Sequence, residues 1–197
     1  MHDPAPDLVL ASTSPFRREL LERLMLPFET CAPEVDETPV PGETPEEMVR
    51  RLAVAKARAG AALHPGTLVI GSDQCAAYDG RILGKPGNHE QAVEQLTALS
   101  GRRVVFYTGL CLLDGRKGET QEAVIPYPIR FKKLTATQIE TYLKRERPYR
   151  CAGSIRSEGL GIALFEAMEG EDPTALVGLP LIRLTQMLER AGRPVLD

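Results

Sequence analysis

Leu8-Val9-Leu10-Ala11-Ser12-Thr13-Ser14-Pro15-Phe16-Arg17-Arg18 is the stretch whose reading decides the fold. Its apolar run predicts a buried strand, and the hydroxyl residues that follow predict a turn. Ser14 is a good N-cap, and Pro15 suits the first helical position, where its missing N–H costs nothing. Leu20, Leu21 and Leu24 then recur at helical spacing, so a helix starts here. A helix N-terminus offers unpaired N–H groups and the positive end of a dipole. Hydroxyls ahead of it and two arginines in its first turn make a place shaped for phosphate. Taken alone, the same residues read at least as well as an ordinary capped helix with solvated arginines.

Outward from this unit, Phe28 to Ala32 predicts a short strand running into Pro33-Glu34-Val35-Asp36-Glu37-Thr38-Pro39. That acidic loop between prolines is either a solvated loop or a source of metal-ligating carboxylates. Thr44-Pro45-Glu46-Glu47 is a capping box opening a second helix, with Met48, Leu52, Ala55 and Ala59 as its apolar stripe. Lys56 lies on the margin of that stripe, either snorkelling to solvent or reaching into a pocket as a phosphate ligand. Thr67 to Gly71 predicts a buried strand ending at Ser72-Asp73-Gln74. In α/β proteins ligand-handling side chains collect at such carboxyl ends, although an Asp also ends strands through simple turns.

Asp79-Gly80 predicts a hairpin that returns Lys85 toward Asp73. Asn88 caps a helix to about Leu99. Arg103 to Leu113 and Thr120 to Phe131 predict a long antiparallel pair around Asp114-Gly115, with Pro126 and Pro128 marking an edge or a bulge. Thr135 to Arg145 is an amphipathic helix and Pro148 to Ser154 a further strand. Ser157-Glu158-Gly159-Leu160-Gly161 is a glycine-flanked turn, and Leu179-Pro180 opens a last helix with Leu181, Leu184 and Leu188 inward. The alternation predicts an α/β fold with a mixed sheet. No G-x-G-x-x-G follows the first strand and no G-x-x-x-x-G-K-[ST] is present, which argues against Rossmann and P-loop sites.

At 197 residues the chain is expected to be one domain, residues 1–197, with residues 1–6 as a flexible N-terminus. A net charge of −3 argues against broad binding of nucleic acid but allows a local basic pocket. Four cysteines without metal-site spacing point to reduced thiols and a cytoplasmic protein. No signal peptide and no apolar stretch of membrane-spanning length is visible.

Taken in order, these motifs resemble the Maf family of nucleoside triphosphate pyrophosphatases over about residues 7 to 192. The resemblance rests on Leu10 to Arg18, Glu34-Val35-Asp36-Glu37, and Arg51-Leu52-Ala53 with Lys56-Ala57. It continues through Gly71-Ser72-Asp73-Gln74, Gly84-Lys85-Pro86, Tyr107-Thr108-Gly109, Ala152-Gly153-Ser154 and Val177-Gly178-Leu179-Pro180. It implies an elongated mixed sheet flanked by helices, two lobes with the active-site cleft between them, and a homodimer. It also implies cleavage of a nucleotide between the α and β phosphates with a divalent metal, Mg or Mn. Carried over by position, Asp73 matches the proton acceptor. Ser12, Arg17, Arg18, Lys56 and Lys85 match phosphate-contacting positions, and Asp36 matches an acidic position acting through metal.

Three positions divide the family by substrate. Members acting on dTTP and UTP carry Arg after the Ser-Pro, Asp-Thr at the acid, and Gln in the glycine turn. Here these positions hold Phe16, Gln74 and Glu158, which resembles the subfamily that hydrolyses 7-methyl-GTP to 7-methyl-GMP and pyrophosphate. N7-methylation makes guanine cationic, and an aromatic face attracts such a ring by roughly 0.5–2 kcal/mol. A carboxylate such as Glu158 can accept from both N1–H and the amino group. Gln74 is expected to read O6 or a ribose hydroxyl. The subfamily more often has Trp where Phe16 stands, which predicts looser base selectivity. The alternatives are a pyrophosphatase for dTTP, UTP or another modified nucleotide, and a nucleotide-binding cell-division regulator with little turnover.

Overall fold

The computed structural model describes residues 7–196, so the expectation for residues 1–6 lies outside the described residues. Strand β1 (Leu8–Ala11), buried throughout, runs parallel to β2 (Glu29–Cys31) on one side and to β3 (Leu68–Tyr78) on the other. Helix α1 (Pro15–Glu22) lies between β1 and β2, and α2 (Pro45–Leu63) between β2 and β3. The rest of the sheet is antiparallel. β4 (Arg81–Leu83) pairs the end of β3 across the Asp79-Gly80 turn. β5 (Arg103–Asp114) pairs β3, β6 (Glu119–Phe131) pairs β5, and β7 (Phe165–Met168) pairs β6. The spatial order is β2-β1-β3-β5-β6-β7, a mixed sheet in an α/β fold. Helices α3 (His89–Leu99), α4 (Ala136–Glu146), α5 (Pro173–Val177) and α6 (Leu181–Arg190) complete it.

Among the described residues the two largest hydrophobic clusters divide the sheet lengthwise. One gathers Leu8, Leu10, Leu20, Leu21, Leu68 and Ile70 with Leu110, Leu112 and the inward face of α6. The other gathers Ala76, Leu96, Phe106, Ile129, Phe131 and Leu143 with α5. The long strands β3 and β5 contribute to both, so the two lobes share one sheet.

Several sequence expectations are corrected. The strand predicted to end at Ser72-Asp73-Gln74 continues to Tyr78, because Cys75, Ala76 and Ala77 are apolar and buried and pair with β5. Asp73 therefore stands in mid-strand. The stripe of α2 is rotated from the predicted one: Met48, Val49, Leu52, Ala53, Lys56, Ala57 and Gly60 are buried, with Lys56 within the inward face. Two sheet glycines explain the rotation. A Cβ at Gly71 would overlap the Ala53 carbonyl oxygen, and one at Gly109 that of Val49. The small residues of α2 therefore sit on bare backbone, which brings Lys56 down to the strand. Residues 148–154, expected as strand, form a turn and a short 3-10 segment (Ala152–Ser154) containing left-handed Gly153 and Ser154. Pro126 and Pro128 precede the β7 ladder, which begins at Ile129 and carries a bulge at Arg130/Phe131. Among the described residues no helix is long and apolar enough to cross a membrane, and Cys31, Cys75, Cys111 and Cys151 are free thiols.

Candidate active site

A cleft of about 620 Å³ opens between the β1–α1 turn and the segment 146–158. Of the residues singled out in the sequence, Ser12, Phe16, Arg17, Lys56, Gln74, Lys85 and Glu158 line it. One end of the cleft is charged. Ser14 caps α1 through its hydroxyl, which accepts from the Arg17 N–H. This cap turns Arg17 inward, where its Nε donates to the Gly178 carbonyl at 2.8 Å and its Nη1 to Ser12 Oγ at 3.5 Å. Burial lowers the pKa of this guanidinium, an effect the Asp73 and Glu37 carboxylates oppose. Arginine remains a cation across the accessible pH range regardless.

Lys56 is the centre of this end. Its Nζ lies 2.6 Å from Asp73 Oδ1 and 2.6 Å from Glu37 Oε1. Lys56 and Asp73 are buried, whereas the Glu37 side chain is 55% exposed toward the cleft. Asp73 stands behind Lys56 and does not itself line the cleft wall. The hydrogen bond from Lys56 holds the Glu37 carboxyl below its usual range, with Lys56, Lys85 and Arg17 adding positive potential.

Strand alternation places Ser72 and Gln74 on the opposite face from Asp73. Ser72 Oγ lies 2.8 Å from the Gly109 carbonyl and 2.9 Å from that of Gly178. Gln74 Nε2 donates to the Ala175 and Leu176 carbonyls at 2.7 and 3.0 Å and to Thr108 Oγ1 at 3.1 Å. With its amide nitrogen engaged by three acceptors, only its carbonyl oxygen is left for a ligand. In this arrangement that oxygen can accept from a ribose hydroxyl, whereas reading O6 of a purine would need the amide nitrogen to leave its carbonyl partners.

Two expected residues stand elsewhere. Arg18 points away from the cleft, exposed and paired with Glu22 one turn on. Asp36 turns to its own loop, where its Oδ1 accepts from the Thr38 N–H at 2.9 Å, and its pKa is lowered by the Thr38 hydroxyl and then by that N–H. Its neighbour Glu37 is the carboxylate that reaches Lys56. An extended loop presents successive side chains to opposite sides, so one residue decides which acid faces inward.

The other end of the cleft is a platform. Phe16 faces the segment 146–158, and the Arg156 guanidinium lies over its ring, 5.4 Å from the centroid. Arg156 donates to Glu146 Oε1 at 3.1 Å and to Glu158 Oε1 at 3.3 Å. The buried Tyr142 hydroxyl fixes this segment by donating to the Ser154 carbonyl and accepting from the Arg156 N–H. Glu146, Arg147, Arg150 and Arg156 all line the cleft and were not singled out from the sequence. No motif marks them, since they stand at and beyond the end of α4 as ordinary charged residues. Among the described residues no group of three or more His, Cys, Asp or Glu stands close enough to hold a metal by itself.

The Maf-like protein family matches residues 7–191. The chain is 61% identical over 191 residues to the 7-methyl-GTP pyrophosphatase of Nitrosococcus oceani, covering 97% of this chain and 96% of that one. It is 56% identical over 202 residues to the protein of the same name from Burkholderia thailandensis, covering 100% and 94%. Among solved structures, a Ham1 protein from Coxiella burnetii aligns with a TM-score of 0.45 at 19% identity over 64% of this chain and 73% of that one. With a family match over nearly all described residues and relatives above half identity along almost their whole lengths, the chain belongs to the Maf family.

Proposed function

We propose that this protein hydrolyses 7-methyl-GTP between the α and β phosphates, releasing 7-methyl-GMP and pyrophosphate. The observation that carries the chemistry is the Lys56 clamp, one buried ammonium between two carboxylates at the charged end of the cleft. Phosphoryl transfer needs positioning and charge neutralisation more than covalent help. Arg17, Lys56 and Lys85 supply three cations, and the α1 N-terminus adds its dipole. The triphosphate oxygens compete for the Lys56 ammonium. As Lys56 turns to them, Asp73 Oδ1 is released to take the proton of the attacking water. The water oxygen bonds to the α phosphorus as the bond from that phosphorus to the α–β bridging oxygen breaks, and pyrophosphate leaves with the electron pair against the lysines.

The donors also suit a hard divalent cation such as Mg, which is held by one or two carboxylates together with substrate phosphates. Glu37, on the cleft side of Lys56, would hold it together with the substrate phosphates, taking the place expected for Asp36. Such an ion supplies charge neutralisation at the phosphoryl oxygens. At the platform end, Phe16 offers a ring face for a cationic base and Glu158 a carboxylate for its N–H edge. The names of the two bacterial relatives support this choice of base. With the reaction go the family expectations of one domain acting as a homodimer in the cytoplasm.

The test is pyrophosphate release with Mg²⁺ from 7-methyl-GTP, GTP, UTP and dTTP at equal concentration, repeated with Asp73→Asn. The reading expects preference for 7-methyl-GTP and a loss of about 10²–10⁴-fold in turnover for the variant, with nucleotide still bound. Preference for UTP or dTTP would overturn the base assignment. Unchanged turnover in the variant would remove Asp73 from its role.

A further inference from the structure

Phe16 and Glu158, the two residues that would recognise the base, already have a partner. The Arg156 guanidinium lies over the Phe16 ring at 5.4 Å and engages Glu158 Oε1 at 3.3 Å, while its Nη1 reaches Glu146 Oε1 at 3.1 Å. The other Glu158 oxygen lies 3.4 Å from the Ser157 hydroxyl. A guanidinium is a flat cation with N–H donors in its plane. An N7-methylated guanine is also a flat cation, with N–H donors along one edge. The two ask for the same ring face and the same carboxylate oxygen, and stacked like charges repel.

We infer that Arg156 is a resident plug of the base subsite, which the base of the nucleotide must displace before Phe16 and Glu158 can engage it. This inference rests on the base-recognition half of the proposed function. The local construction suits an exchange. Arg156 is anchored through its backbone: its N–H donates to the Tyr142 hydroxyl, and its carbonyl accepts from the Gly159 and Gly161 N–H groups at 3.2 and 3.0 Å. Its side chain is 42% exposed, so it has a way out toward solvent. Glu146 is held in place by the Leu160 N–H at 2.6 Å on its second oxygen. Arg156 can therefore keep Glu146 while it leaves Phe16 and Glu158.

The free energy of displacing the plug is the same whichever base arrives. It reduces affinity by the fraction of molecules with the subsite open, and does so for all bases alike. Selectivity then resides in Phe16 and Glu158, while Arg156 sets the threshold of affinity.

The test compares the wild type with Arg156→Ala, titrating 7-methyl-GMP and GMP by calorimetry and measuring KM and kcat for 7-methyl-GTP. The contacts removed are a partly exposed cation–π pair and the partly exposed Arg156–Glu158 ion pair, so binding of both monophosphates should tighten by about 3- to 30-fold. The ratio between them should hold, and the gain in kcat/KM should appear in KM with kcat unchanged. Arg156→Lys, which keeps the charge without the planar fork, should fall between. Because the anchors are backbone groups, both variants should keep the wild-type circular dichroism, and Arg156→Lys provides the comparison if the alanine variant does not. Unchanged or weakened affinity, or a gain confined to one base, would overturn the plug, as would absence of binding by both proteins. If affinity shifts as expected but no pyrophosphate is released from 7-methyl-GTP, the exchange stands and the proposed reaction falls. If pyrophosphate is released and affinity does not shift, the reverse holds.

Discussion

Replacing Lys56 by Met tests the clamp most directly. Methionine keeps the apolar stem that packs within the inward face of α2 and removes only the ammonium. The Lys56 and Asp73 side chains are 8% and 12% exposed, so this half of the clamp is a buried pair. Breaking such a pair from one side costs about 3–5 kcal/mol, because a buried charge is left without a partner. Glu37, at 55% exposure, can turn to solvent, so its half contributes about the 0–1 kcal/mol of a surface pair. The Asp73 side chain keeps 12% exposure and is not fully dry, which places the expected loss at the lower end, about 3 kcal/mol. In a chain of this size that is a fall in Tm of about 6–12 °C. The decisive comparison is the double variant Lys56→Met with Asp73→Asn, followed by urea and thermal unfolding monitored by far-ultraviolet ellipticity. Removing the stranded carboxylate should return stability to within about 1 kcal/mol of wild type, a recovery of about 2 kcal/mol over the single variant. A single variant within 1 kcal/mol of wild type, or a double variant no more stable than the single, would refute the buried-pair reasoning.

Phe16→Leu keeps an apolar side chain but removes the aromatic face. The preference for 7-methyl-GTP over GTP in kcat/KM should fall by about 2- to 30-fold, and an unchanged ratio would exclude stacking as its source. Gly109→Ala places a Cβ into the Val49 carbonyl; since this is backbone, α2 must move, at a cost of about 1–3 kcal/mol or more, measured by urea unfolding. Turnover should fall with it, because Lys56 rides on that helix. Acid stability follows from carboxyls held below their usual range: Glu37 by the hydrogen bond from Lys56, Glu47 by the Thr44 N–H, and Asp114 by Arg116. A depressed folded value means the stabilisation is complete above the ordinary values of 3.8 and 4.5 and is lost as pH falls through the lowered ones. Thermal midpoints should therefore be level from pH 7 to about 5 and decline below about 4.5, and a decline beginning above pH 6 would contradict this assignment.

Local signals carried much of the architecture into the sequence. Ser14-Pro15, Thr44-Pro45 and Asn88 each cap a helix where expected, since capping chemistry is contained in a few adjacent residues. The Asp79-Gly80 hairpin and the long β5–β6 pair follow from turn and β-branched residues in the same way. What was not legible depends on contacts across the fold. The inward face of α2 is set by Gly71 and Gly109, which are distant in sequence, so Lys56 reads as marginal until the sheet is in place. Asp36 and Glu37 are equivalent acids in a loop, and only the position of Lys56 distinguishes them. Arg18 reads as a phosphate contact from its place in the first turn of α1 and from the family resemblance, although successive residues on a helix point about 100° apart and it faces away from the cleft. β7 and α5 are short, and their ends are fixed by tertiary partners such as Gln74 rather than by their own propensity.

The two cores hang on uninterrupted strands. Leu68 and Ile70 of β3 belong to one and Ala76 to the other, and β5 likewise spans from Val104 and Phe106 to Leu110 and Leu112. Between β3 and β5 the ladder keeps one register from Leu68 to Ala77. Hinged enzymes close by letting a few loop residues absorb a large dihedral change. Here the floor of the cleft is a hydrogen-bonded ladder, and bending it would break bonds in several strands together. The lobes therefore behave as a fixed jaw. Admission of a nucleotide falls to rotamer changes at side chains on its rim, on the picosecond-to-nanosecond scale of exposed groups rather than the microsecond-to-millisecond scale of domain closure.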